Sequence, residues 1–319
     1  MGDRSSERIA RVELSPEVSL FDFQVNGFAG VDFQSRNLEL SELQHAVSRL
    51  RWHRMQRIFL TLVTDTIDEM CRKLEALEAN CSRDPDLAKT IVGYHLEGPW
   101  ISSEEGYNGA HPLDKVCRPK ESDLWRLWEA SGGRIKLITL APEVKDAIPM
   151  IELITGQGIR VGLGHTNAGE RDIDDAISAG ATLATHLGNA VPSLLHRHDN
   201  VIQRLLSRDE LIACLIPDGV HLPPFVLRNF FRTKAPGKTF FTTDCMAAAG
   251  APPGRFTLAD IDLEVGEDGI VHLPGDSRFA GSSLTLDRGV IHIAEWLGVS
   301  SEEAVTLCSS CAADHFGLI

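Results

Sequence analysis

The chain has 319 residues, 43% hydrophobic and 24% charged, enough to bury one large core. Its formal charge of −14, from 45 acidic against 31 basic residues, argues against nucleic acid or an anionic membrane as a partner bound through bulk charge. Seven cysteines, an odd number spread along a chain that opens MGDRSSERIA without an apolar signal region, suit a reducing, cytoplasmic setting with free thiols, and no apolar run nears the roughly 20 residues that span a bilayer.

Residues 1–20 read as an N-terminal extension, in which RIARVELSPEVS offers at most one strand, and residues 21–319 read as one domain. Eight short apolar segments then follow in order: FDFQVNG, RIFLTLVTD, TIVGYHLEGPW, RIKLITLAPE, IRVGLGHT, TLATHLGNAV, LIACLIPDGVHL and KTFFTTDCMAAAG. Seven of them are followed by a segment with helical spacing of apolar residues, such as SELQHAVSRLRWHR, DEMCRKLEALEANC and ERDIDDAISAG. Strand and helix in alternation give parallel strands, and eight such units close into a (β/α)₈ barrel. A doubly wound open sheet is disfavoured because no glycine-rich dinucleotide fingerprint follows the first strand. Residues 250–283 interrupt the rhythm with alternating apolar residues and a Glu-Asp-Gly turn, a hairpin-like insertion after the eighth strand, and two helices at about 284–297 and 301–313 complete the chain.

In such a barrel the chemistry sits at the carboxyl ends of the strands. Those ends carry Glu97 after the third strand, His165 after the fifth, His186 after the sixth, Asp218 and His221 after the seventh and Asp244 after the eighth, with His111 in the third loop. Singly, each has an ordinary reading as a surface residue or a cap. At equivalent positions of successive strands they converge on one mouth. One carboxylate and two imidazoles suit a single catalytic divalent ion, zinc or ferrous iron, so Glu97, His165 and His186 are the expected ligands and Asp244 the expected proton acceptor and donor in a metal-assisted hydrolysis. Gln24 and Asn26, two residues apart at the end of the first strand, present their amides on one face of it.

The series QVNG, HLEGPW with GAHP, GLGHTNA, ATHLGNAV, IPDGVH, TTDCMAAAG and AGSSLTLD, from about residue 22 to 313, resembles that of the N-acetylglucosamine-6-phosphate deacetylases of the amidohydrolase superfamily. The resemblance implies a one-metal barrel enzyme that removes acetate from the nitrogen of a phosphorylated amino sugar, with Gln24 and Asn26 standing where most amidohydrolases have a pair of histidines. It implies Asp244 as general acid and base, His111 and His221 as contacts to the sugar or carbonyl, and Asn189, Ala190 and Arg197 as contacts to the substrate's phosphate end. It also implies a homodimer, and a small β-sandwich for which this chain leaves too little sequence on either side of the barrel. The readings set against it are an amidohydrolase acting on another N-acyl amino sugar or a cyclic amide, and a silent barrel that binds a sugar phosphate. The altered loop LLHRHDNV bears on the first, and retention of all four metal and proton-transfer residues argues against the second.

Overall fold

The computed structural model describes residues 14–259, 261–266, 268–273 and 281–318. The N-terminal part of RIARVELSPEVS lies outside them.

Each apolar run forms one strand of a single parallel sheet. In order the strands are Leu20–Val25, Met55–Val63, Ile91–Glu97, Ile135–Leu140, Arg160–Leu163, Leu183–Ala184, Ile212–Leu215 and Thr239–Phe241, each hydrogen-bonded to the next in sequence. The sheet meets itself beyond the ends of its outer strands. Val25 bridges Cys245 in parallel, and the Asn26 N–H donates to the Cys245 carbonyl at 2.7 Å. Below that point the seam is held by a carboxylate. Asp22, fully buried, accepts from the hydroxyls of Thr242 (2.5 Å) and Thr243 (2.6 Å) and from the Thr243 N–H. Burial raises the Asp22 carboxyl above its ordinary pKa, and these donors only partly offset it.

The interior is layered. At the lower end Phe21, Phe23, Phe59, Leu137, Leu183, Ile212 and Phe240 form an apolar cluster, which Phe316 of the C-terminal segment joins from below. Above it runs a buried polar belt. His95 Nε2 lies 2.8 Å from the Thr139 hydroxyl, which lies 2.8 Å from that of Thr185. Strand five leaves room for this belt by having no side chains there, since a Cβ on Gly162 would lie 2.4 Å from Thr185 Oγ1 and one on Gly164 2.8 Å from Thr185 Cβ. Alternation along the third strand then lifts Glu97, two residues past His95, into the top layer.

Helices cover the outside with amphipathic faces. Ile67–Arg83, for example, starts at Thr66, whose side chain accepts from the Glu69 N–H, and buries Met70, Leu74 and Leu77. After the eighth strand, in the stretch where the sequence predicts a hairpin-like insertion, comes a three-stranded antiparallel sheet of Gly254–Leu258, Ile261–Val265 and Val271–His272. Leu258, Leu263, Val265 and Val271 pack it onto Met246, Ala247 and Ala248. The chain closes with Leu286–Leu297, then Ser301–Val305 and Cys311–His315 joined through a π turn at Thr306–Ser310.

Candidate active site

Three acceptor-bearing side chains meet at the mouth of the barrel. Glu97 Oε1 lies 3.2 Å from His165 Nε2 and 2.9 Å from His186 Nε2, and the two imidazole nitrogens are 3.0 Å apart. All three residues are buried. Two ring nitrogens facing each other at this distance cannot both carry protons without repulsion, and a carboxylate oxygen beside them adds a third lone pair. A cation among them resolves the conflict. Around zinc, with bonds of about 2.0–2.1 Å, tetrahedral ligand atoms stand roughly 3.3 Å apart, close to the spacing here. Burial alone would raise the Glu97 carboxyl, but the hydrogen bonds and charge of His165 and His186 outweigh it and hold the group well below its ordinary range.

Backbone conformation brings these side chains in. His165 (φ +52°), His186 (φ +31°) and Asp244 (φ +50°) all occupy the left-handed region, as does Ala190 (φ +51°). Such conformations cost a non-glycine residue of order 1–3 kcal/mol and persist where the surroundings enforce them. Around His165 that enforcement is visible. Ser102 donates to the His165 carbonyl (2.9 Å), while Glu143 accepts from the Thr166 hydroxyl (2.5 Å) and the Asn167 N–H (2.8 Å), fixing the loop just past the histidine.

The two amides of the first strand each hold one carboxylate of the site. Gln24 Nε2 donates to Glu97 Oε1 at 2.9 Å, and Asn26 Nδ2 donates to Asp244 Oδ1 at 2.7 Å. The first strand's register against the second shifts between Asp22 and Val25, an irregularity of the kind that re-aims side chains. Phe23 accordingly belongs to the lower cluster while its neighbour Gln24 reaches the top. Burial, together with the negative charge of Glu97, pushes the Asp244 carboxyl up to about 7, against the opposing pull of His186, His221 and Asn26.

His111 stands beside the cluster, its ring 4.2 Å from that of His165 and its Nδ1 2.7 Å from the Thr64 hydroxyl. Burial and the neighbouring His165 lower its pKa to about 3, so it is neutral. His221 is held by Asp218, whose Oδ2 lies 2.6 Å from the ring Nδ1 and whose Oδ1 accepts the backbone N–H groups of Val220 and His221. Asn189 turns its amide back to the His186 carbonyl at 3.1 Å. Arg197 is exposed in the loop between the sixth strand and the helix Val201–Leu206, apart from the buried cluster. Asp22, Thr64 and Glu143 are supporting residues beyond those the sequence predicts. Asp22 had a visible signal, a charged residue inside the apolar run FDFQVNG.

A closed parallel barrel with one carboxylate and two histidines at its mouth, and a further carboxylate after the last strand, defines a hydrolase of the amidohydrolase class. No family model matches the chain. Over 308 residues it is 34% identical to N-acetylglucosamine-6-phosphate deacetylase of Mus musculus, covering 93% of this chain and 73% of that protein, and over 302 residues it is 30% identical to the Bacillus subtilis protein of the same name, covering 94% and 74%. Among solved structures, a mutant N-acetyl-D-glucosamine-6-phosphate deacetylase from Mycobacterium smegmatis in complex with N-acetyl-D-glucosamine-6-phosphate superposes with a TM-score of 0.85 at 28% identity, over 94% of this chain and 77% of that one. The Thermotoga maritima deacetylase gives 0.82 at 25% identity, over 94% and 78%. The chain belongs to the N-acetylglucosamine-6-phosphate deacetylase family.

Proposed function

We propose that this chain hydrolyses N-acetylglucosamine 6-phosphate to glucosamine 6-phosphate and acetate, with Glu97, His165 and His186 as ligands of one divalent metal ion and Asp244 as general acid and base. The observation that carries the reading is the meeting of three buried acceptor atoms within 3.2 Å of one another, in a barrel whose relatives carry this activity by name. The donor set suits zinc. When bound, such an ion supplies Lewis-acid polarisation of the amide carbonyl and lowers the pKa of water to about 7.

The chain's own groups do the rest. Asp244, poised near neutrality, takes a proton from the attacking water and gives it to the leaving nitrogen as the C–N bond breaks. Asn26 holds that carboxyl in place, and Gln24 does the same for Glu97. Thr64 engages His111 Nδ1 through its hydroxyl at 2.7 Å and its N–H at 3.4 Å, and in the proposed mechanism the ring donates from Nε2 to the oxygen that gains charge. His221, oriented by Asp218, and the turn at Asn189 and Ala190 form the side that receives the sugar and its phosphate, and exposed Arg197 would have to reach that phosphate from outside the buried cluster. Seven free thiols support a reducing, cytoplasmic setting, and a second copy of the chain as partner rests on the family resemblance alone.

Acetate release from N-acetylglucosamine 6-phosphate tests the reading. Turnover should stop with a chelator and return with added zinc; turnover indifferent to chelation would refute the metal assignment, and no turnover in zinc-loaded protein would refute the substrate.

A further inference from the structure

This inference rests on the amide-hydrolysis reading and concerns the acyl group. A cleft of about 210 Å³ adjoins the metal-ligand cluster, with Val63, Thr64, Ala110, His111, Leu258 and Ile261 among its walls. Val63 is paired in register with Glu97, so the cleft lies at the level of the ligands. His111 borders both, its ring 4.2 Å from that of His165 and its side chain lining the cleft. Asn189, Ala190 and His221, which would receive the sugar phosphate, lie in the loops after the sixth and seventh strands, across the mouth from the end of the second strand, where Val63 and Thr64 stand. A substrate whose carbonyl lies at the cluster and whose phosphate lies toward Asn189 therefore directs its acyl carbon toward this cleft.

One side of the cleft suits hydrocarbon. Val63, Ala110, Pro112, Leu258 and Ile261 offer no side-chain partner for a hydroxyl, while Thr64, His111, Asp114 and Lys115 line the rest. Leu258, Ala259 and Ile261 of the insertion are held in place: the Ala259 N–H donates to Asp32 at 2.8 Å, and Leu258 packs into the insertion's own small core. An acetyl methyl leaves most of this space unused. An apolar cavity of about 150 Å³ already holds a six-carbon ligand such as benzene.

We propose that this cleft is an acyl-chain site, and that the chain hydrolyses N-acyl glucosamine 6-phosphates with straight acyl chains of up to about six carbons. The step balances as for acetate. Water adds its oxygen to the carbonyl carbon, the C–N bond breaks, the nitrogen takes the proton through Asp244, and the products are a short fatty carboxylate and glucosamine 6-phosphate.

The test compares N-acetyl, N-butanoyl and N-hexanoyl glucosamine 6-phosphate with the zinc-loaded full chain, following release of the free amine. The expected result is a kcat/KM for the longer amides within tenfold of the acetyl value. Ile261→Trp and Val63→Phe place bulk in the cleft from two different elements, both at half-buried positions, and either should lower the hexanoyl-to-acetyl ratio at least tenfold. Acetyl turnover with a hexanoyl kcat/KM more than tenfold lower in the unsubstituted chain would overturn the proposal and leave the deacetylase reading intact. A ratio unmoved in both folded variants would overturn it as well, and hydrolysis of none of the three amides would overturn both readings together.

Discussion

The two carboxylates at the mouth differ in environment, and the roles proposed for them follow that difference. Glu97 sits against two imidazoles and is held ionised, while Asp244 is buried, faces the charge of Glu97 and titrates near 7. Asparagine at position 244 can still accept from Asn26 Nδ2, so its geometry survives and only proton transfer is lost. Asp244→Asn should therefore lower kcat by about 10²–10⁴-fold, with metal content by elemental analysis unchanged; near-native turnover would remove Asp244 from the mechanism. The supporting amides act on different quantities. Gln24→Ala strips Glu97 of its donor and should weaken metal affinity by about 10–100-fold, as for other partners that orient metal ligands, measured by competition with a chromophoric chelator. Asn26→Ala frees Asp244 instead, so its loss should appear in kcat with metal affinity held.

At the scale of elements, the loop after the second strand shows how a strand end is fixed. Asp65 and Lys73 are both buried and 2.8 Å apart, and Lys115 from the third loop adds a second contact to Asp65 at 3.1 Å. Removing one partner of such a pair leaves an uncompensated buried charge, so Asp65→Asn should cost about 3–5 kcal/mol. Burial by itself would raise the Asp65 carboxyl, but the hydrogen bond and charge of Lys73 outweigh it and the group sits below its ordinary value. A carboxylate depressed in the folded state contributes its full stability above the unfolded pKa of about 3.9 and loses it as pH falls through the lower folded value. Urea midpoints should drop between pH 5 and pH 3 more steeply in the native chain than in Asp65→Asn; parallel curves would exclude the pair as a source of acid lability. The elements themselves were legible in the sequence, because each barrel strand is a short apolar run followed by an amphipathic stretch, and the meeting of Glu97, His165 and His186 was legible because polar residues recur at equivalent strand ends. The partners of those residues were not. Gln24 meets Glu97 across 73 positions, His111 meets Thr64 across 47 and Asp22 meets Thr242 across 220, pairings that exist only once the sheet has closed. The irregular register of the first strand was hidden for the same reason, since a strand's own pattern does not record how its neighbour slips against it.

Over the whole molecule, the two ends of the barrel are built on opposite principles: the mouth gathers charge in strained backbone, and the base is sealed with aromatic rings. Phe316 lies 4.9 Å from Phe59, 5.8 Å from Phe23 and 6.1 Å from Phe21 by ring centroids. The segment carrying it is tied to the barrel by Arg57, which donates to the Leu318 carbonyl at 2.8 Å, and by Ser309, whose hydroxyl accepts the Phe21 N–H at 2.9 Å and donates to the Ser19 carbonyl. Phe→Ala in a full core costs about 3–5 kcal/mol. Phe316 is half-buried, so Phe316→Ala should cost less, about 2 kcal/mol, and lower the Tm by about 4 °C in a chain of this size. The belt of His95, Thr139 and Thr185 stands between this plug and the cluster of Glu97, His165 and His186, and its hydrogen bonds do not involve Phe316. Metal content and kcat measured well below the melting transition should consequently match those of the unsubstituted chain. A variant that melts normally but turns over slowly would mean that the base sets the geometry of the mouth, and the division of the barrel into a sealing layer and a reacting layer would fail.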